Sequence, residues 1–165
     1  MEFLKLILVR HAKTEEQSAT GRDFDRPLTI DGISDAERMA NQLLKMNIIP
    51  DFIIHSDAER TTATAKIFAA VLLKNEEDRT ADDTLYNSGT EDYFELITSI
   101  SSVNKVVMVV GHNPTISELI LLLTRELVSA LSPCAMCQIA FPYKKWNEIQ
   151  EQSGMLLFVK TPAMI

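Results

Sequence analysis

The sequence predicts an α/β fold, a three-layer α/β/α sandwich around a central, mostly parallel sheet. Two observations carry that expectation. Short aliphatic and β-branched runs alternate along the chain with longer segments whose apolar residues recur at helical spacing. The 165 residues, 46% hydrophobic and 24% charged, also match one compact unit with a real core, so a single domain over residues 1–165 is expected. Five glycines and six prolines, with no low-complexity tract or internal repeat, leave no candidate linker.

The elements follow in order. Phe3 to Val9 is an apolar run suited to a buried strand and too short for a core helix. The opening MEFLKLILV also has the look of a leader, but Glu2 and Lys5 interrupt it and no small-residue cleavage site follows, so a strand is expected. Thr29 is placed to cap a helix bearing Ile33, Ala36, Met39, Ala40, Leu43 and Leu44 on one face and ending before Pro50. Phe52 to Ile54 reads as a second strand, joined through Ser56-Asp57 to a helix marked by Thr61, Ala65, Phe68, Ala69 and Leu72. A third helix is expected over Thr90 to Ile100, with Ser88-x-x-Glu91 as its capping box. Val106 to Val110 is a nearly pure β-branched strand, and Pro114 suits the first turn of a helix carrying Ile116, Leu119, Ile120 and Leu123. Strands near Gln138 to Phe141 and Met155 to Val159 complete the sheet, with Leu127 to Pro142 a candidate edge strand or interface.

A net charge of −7 argues against nucleic acid as a partner of the whole surface, and no run approaches the roughly 20 apolar residues of a membrane helix, so a cytoplasmic protein is expected. Cys134 and Cys137 form a lone C-x-x-C with no second pair or nearby His; two reduced structural thiols are expected, with no assigned role.

Open parallel sheets bind ligands at the carboxyl ends of their strands. Three segments with chemistry end there: Arg10-His11, Ser56 to Arg60, and His112-Asn113. Two guanidiniums, two imidazoles and two helix N-termini at one edge make an anion site, and guanidinium forks match phosphate oxygens. A neutral His11 could attack a phosphoryl group if its other ring nitrogen donated to a backbone carbonyl, while a protonated His112 stabilised the equatorial oxygens; this needs neither metal nor cofactor. Arg26 is a candidate substrate ligand or a surface charge, Asn113 a phosphate contact or a helix cap, and His55 a structural residue. The competing arrangement, His11, His55 and His112 with an Asp around zinc, places two arginines beside a dication.

Four segments then match a known pattern in order: Leu8-Val9-Arg10-His11-Ala12-Lys13-Thr14-Glu15; Arg26-Pro27-Leu28-Thr29 with Gly32; Ser56-Asp57-Ala58-Glu59-Arg60-Thr61-Thr62-Ala63; and Val110-Gly111-His112-Asn113-Pro114. Together they resemble the histidine phosphatase superfamily, with its opening Arg-His-Gly motif, and look most like the SixA-like phosphohistidine phosphatase branch. The resemblance implies that Arg10, His11, Arg60 and His112 fill the four catalytic positions, His11 being the phosphorylated nucleophile. Ala12 stands where the superfamily usually has Gly, and a positive φ would strain it. The carboxylic acid that larger members place after the third strand has no evident counterpart in Asp82 to Gly89, where Tyr86-Asn87 stand near its place; Asp23, Asp25, Asp82 and Asp83 remain candidates if a loop folds back. A missing acid favours a leaving group that departs easily, such as imidazole. The expected function is therefore a metal-independent phosphatase acting on phosphohistidine in a protein. The alternatives are a phosphomonoesterase or phosphosugar phosphatase acting on a small phosphorylated molecule, or a silent phosphate-binding module.

Overall fold

The computed structural model describes residues 3–165. Met1 and Glu2, part of the run read as strand rather than leader, lie outside the described residues. The elements are β1 (Leu4–Arg10), α1 (Ile30–Lys45), β2 (Phe52–Ser56), α2 (Glu59–Leu72), β3 (Arg79–Asp82), α3 (Thr90–Thr98), β4 (Val106–Gly111), α4 (Thr115–Thr124), β5 (Met136–Phe141) and β6 (Met155–Lys160). Among the described residues they form one six-stranded sheet in the order β3-β2-β4-β1-β5-β6. β3, β2, β4 and β1 run parallel, while β5 pairs antiparallel with β1 and β6 antiparallel with β5.

The strand period of two sorts the central strands between two cores. Leu4, Leu6 and Leu8 of β1 and Val107 and Val109 of β4 pack with Tyr93 and Ile97 of α3 and Ile116, Leu119, Ile120 and Leu123 of α4. Ile7, Val9, Met108 and Val110 point the other way, onto Ala36, Met39, Ala40 and Leu43 of α1 and Ala65, Phe68, Ala69 and Leu72 of α2. Each large aliphatic side chain buried this way contributes about 1.5–3 kcal/mol. The α/β/α sandwich with a mostly parallel sheet is therefore as expected.

Several details differ. Ile33 and Leu44 flank the buried stripe of α1 and are 43% and 44% exposed, whereas Gly32 is buried. The cap of α3 shifts by one residue: the Asp92 carboxylate accepts from the Gly89 N–H at 3.2 Å, and the Ser88 hydroxyl donates instead to the Leu85 carbonyl. β3, Arg-Thr-Ala-Asp, escapes sequence reading because an edge strand paired on one side needs no apolar alternation. β5, which occupies much of Leu127 to Pro142, is interior, and β6 is the edge.

α1 is fixed at the end that faces the site. Thr29 caps it, accepting from the Gly32 N–H at 2.9 Å, and its own N–H donates to the Lys13 carbonyl at 2.9 Å, two residues past His11. A Cβ on Gly32 would collide with that carbonyl. Gly32→Ala is expected to cost about 1–3 kcal/mol in chemical denaturation; an unchanged midpoint would show that the segment after His11 yields freely.

Candidate active site

His11 lies one step beyond the last β1–β4 pair, Arg10 with Gly111. Its N–H donates to the Gly111 carbonyl at 3.1 Å and its carbonyl accepts from the Cys134 N–H at 3.0 Å, so the backbone is pinned from both flanking strands. The Ala12 N–H donates to the Thr64 hydroxyl at 3.0 Å, and that hydroxyl donates to the Arg60 carbonyl at 2.8 Å. Ala12 lies outside the left-handed backbone region, so it fills the Gly position without that strain. His11 Nδ1 is 2.8 Å from the Ala12 carbonyl oxygen. A carbonyl only accepts, so Nδ1 carries the proton and the lone pair sits on Nε2. Among the described residues Nε2 makes no hydrogen bond.

Arg10 donates through Nη1 to the Leu131 carbonyl at 2.7 Å, while its buried Nε has no partner among the described residues. A buried N–H of that kind is a donor an anion can satisfy. Arg60, buried in the first turn of α2, donates to the Asp23 carbonyl at 2.9 Å and to its carboxylate at 3.0 Å, and its guanidinium lies 5.7 Å over the Tyr86 ring. His112 follows β4, its ring centroid 5.6 Å from that of His11 and 5.6 Å from that of Tyr86. Its Nε2 is 2.8 Å from the Ser56 hydroxyl at the end of β2, and its backbone N–H donates to the Tyr93 hydroxyl at 3.3 Å. Arg60, Tyr86, Asn87, His112 and Glu118 border a pocket of about 400 Å³. Arg10, His11, Arg60 and His112 thus meet at the strand ends, as the sequence leads one to expect.

The electrostatics suit a neutral nucleophile beside an anion site. Burial, followed by His112, Arg60 and Arg10, pushes His11 down to about 3 against the opposing pull of the Ala12 carbonyl. Burial and then Arg60 push His112 down to about 4, with Asp23 opposing. The Asp23 carboxyl is held well below the usual range, first by the Tyr86 hydroxyl, which donates at 2.7 Å, and then by Arg26 and Arg60.

The other candidates sit elsewhere. Arg26 organises the loop around Asp23: Nε donates to the Glu15 carbonyl at 2.8 Å, Nη2 to the Thr14 hydroxyl at 2.6 Å and Nη1 to Asp23 at 3.0 Å. Asn113 accepts from the Ser117 N–H at 3.3 Å, as a helix cap does, and donates to the Leu131 carbonyl at 3.1 Å, although it also lines the pocket. His55 is fully buried, its Nδ1 donating to the Ser56 carbonyl and its Nε2 accepting from Arg79 at 2.8 Å, so the three imidazoles do not gather as the zinc alternative requires. Among the described residues no cluster of three His, Cys, Asp or Glu could hold a metal ion. Cys134 and Cys137 are free and buried, and burial pushes both thiols up to about 12.

Of the loop carboxylates, Asp23 does fold back onto the site, but ionised rather than as an acid. Asp25 accepts from Thr20, and Asp82 caps the turn at Thr84. Ser56, Thr64 and Tyr86 are site neighbours to which sequence reading gives no role, although Ser56 and Tyr86 fall in segments it names. Their roles arise from contacts across 52 to 63 residues of sequence, Thr64 to Ala12, Ser56 to His112 and Tyr86 to Asp23, which leave no local periodic signal.

Comparison with known proteins agrees with this geometry. The sequence profile of the histidine phosphatase superfamily (branch 1) matches residues 6–85. An uncharacterized chloroplastic protein of Arabidopsis thaliana is 41% identical over 66 residues, 40% of this chain and 30% of that protein's length. Among solved structures, the candidate phosphohistidine phosphatase SixA of Agrobacterium tumefaciens superposes with a TM-score of 0.81 at 27% identity, covering 96% of this chain and 98% of that one. The protein histidine phosphatase SixA in complex with tungstate shares the fold with a TM-score of 0.84 at 17% identity, over 97% and 98% of the two chains. With the four motifs in order and their side chains gathered at one sheet edge, the chain is similar to the histidine phosphatase superfamily, and in fold to its SixA members.

Proposed function

We propose that the protein is a metal-independent phosphatase that moves the phosphoryl group of a protein phosphohistidine onto His11 and then onto water. The observation that carries this reading is the His11 imidazole: its proton is held at Nδ1 by the Ala12 carbonyl, its Nε2 is open, and Arg10, Arg60 and His112 are all near enough to depress its basicity. Free reduced thiols at Cys134 and Cys137 suit the cytosol as its compartment.

In the first step His11 Nε2 attacks phosphorus in line. An N–P bond forms as the substrate's P–N bond breaks, and the electron pair of the broken bond returns to the departing ring nitrogen. Bonds made and broken are of one kind, so transfer between two imidazoles is nearly balanced and needs no strong general acid. Arg10 Nε and the Arg60 guanidinium neutralise the phosphoryl oxygens, which is the main demand of a loose phosphoryl transition state. A bound dianion raises the basicity of His112; protonated, that ring donates to Ser56 through Nε2 and to the phosphoryl group through Nδ1. In the second step water attacks phosphorus, the pair returns to His11 Nε2, and the water's proton leaves with phosphate.

Two outcomes are expected. Because the folded-state values of His11 and His112 lie below the ordinary 6.5, lowering the pH through that value leaves both rings neutral. NMR titration of the ligand-free protein should show both neutral down to about pH 5, with His112 protonating before His11; a His11 midpoint near the ordinary value would contradict the neutral nucleophile. In kinetics, a phosphohistidine peptide should surpass sugar phosphates and phosphoserine in kcat/KM by ~100-fold, reflecting the easier leaving group. His11→Ala should lower turnover by a factor on the order of 1,000 or more. Faster turnover of a sugar phosphate would replace this reading with a phosphomonoesterase, and phosphate binding without turnover of any substrate would replace it with a silent binding module.

A further inference from the structure

Among the described residues, Asp23 is the carboxylate that pairs directly with the Arg60 guanidinium at the site. It comes from a loop, yet its Oδ2 accepts from both Arg60 Nη2 at 3.0 Å and the Tyr86 hydroxyl at 2.7 Å. Its side chain is 51% exposed, so it stands at the mouth of the site rather than in the protein interior. Tyr86 gives its only proton to Asp23, so toward a substrate its oxygen, which also lies beside the Arg60 guanidinium, can act only as an acceptor. The Tyr86 ring meets His112 edge-on, and both line a pocket whose lining also includes Glu118 and no lysine. The neighbouring cation, Arg26, spends its three nitrogens on Glu15, Thr14 and Asp23, and so offers little to a substrate.

We propose that the Asp23–Tyr86 pair is a specificity-determining site for the leaving group, selecting a cationic ring over an anionic or neutral alcohol. Resting on the phosphohistidine reading above, the inference names what that reading leaves open, namely how the leaving group is recognised without an acid. The phosphorylated imidazole is most reactive when its second nitrogen is protonated. That N–H donates to the Tyr86 oxygen, whose hydroxyl is aligned by Asp23, and the carboxylate favours the cation. When the P–N bond breaks, its pair stays on the nitrogen that held phosphorus, the proton stays on the other, and a neutral imidazole departs while the positive charge passes to the His11 ring. No proton crosses to or from Asp23, in keeping with its firmly ionised state. The same carboxylate, with Glu118, repels leaving groups that bear a carboxylate or a second phosphate, so selection works by rejection as well as by attraction.

The bland alternative is that Asp23 only holds Arg60 in place, and the two roles predict different results. Wild type, Asp23→Asn, Tyr86→Phe and Glu118→Gln are each assayed on a phosphohistidine peptide, on phosphoserine and on p-nitrophenyl phosphate. Asp23→Asn should lower the ratio of kcat/KM on the phosphohistidine peptide to that on phosphoserine by roughly 10-fold, beyond any loss common to all substrates from its contact with Arg60. It should also move the point at which activity declines as the peptide's ring loses its proton to lower pH. Tyr86→Phe, which retains the carboxylate, should lower the same ratio by removing the acceptor for the leaving ring, and Glu118→Gln should shift it slightly in the direction of Asp23→Asn. Equal losses on all three substrates would overturn the proposal and leave Asp23 as a positioning residue for Arg60. Failure of the wild type to turn over phosphohistidine would instead overturn the substrate reading and this proposal with it, and thermal melts of each variant separate either outcome from misfolding.

Discussion

The parallel pairing of β1 with β4 is the constraint on which the site depends. With Arg10 opposite Gly111, the two strands end together, and the residues that follow, His11 and His112, emerge side by side with ring centroids 5.6 Å apart. A slip of one residue would exchange Ile7 and Val9 for Leu6 and Leu8 between the two cores, so burial on both faces holds the register. β2, paired with the other edge of β4, delivers Ser56 and the start of α2 to the same place. The packing energy of two cores is what positions four polar side chains.

Local charge in this site runs against the charge of the chain. A protein of net charge −7 gathers Arg10, Arg60 and two imidazoles at one edge, and burial, with their mutual repulsion added to it, favours the neutral form of both rings. Asp23, paired with Arg60 at 3.0 Å, offsets part of that repulsion. On the proposed reading, a dianion entering the site would replace that internal compensation with direct contacts to both guanidiniums, linking phosphoryl binding to activation of the site.

Much of this was legible in the sequence. Residues such as Phe68, Leu119 and Val109 announce their faces through helical and strand periodicity, and Arg10, His11, Arg60 and His112 stand at strand ends that any parallel sheet turns toward one crevice. What escaped has a common physical cause. The strand Arg79–Asp82 is polar and at an edge, so burial leaves no mark on its sequence. Tyr86, Ser56 and Thr64 reach the site through side-chain hydrogen bonds to partners distant in the chain, and a hydroxyl in a loop or on a helix looks the same whether it faces water or an imidazole. Cys134 is the sharpest case: its thiol is inert, and its part in the site is the backbone N–H that holds the His11 carbonyl.

The central claim is that His11 Nε2 carries the phosphoryl group between substrate and water, and rapid quenching in alkali followed by peptide mapping tests it most directly. The account predicts, in the first turnover, a phosphoryl group attached to Nε2 of His11, lost on a chase with unlabelled substrate and absent in His11→Ala. A phosphoryl group found on His112, or turnover with full burst amplitude and no phosphorylated histidine at all, would contradict it.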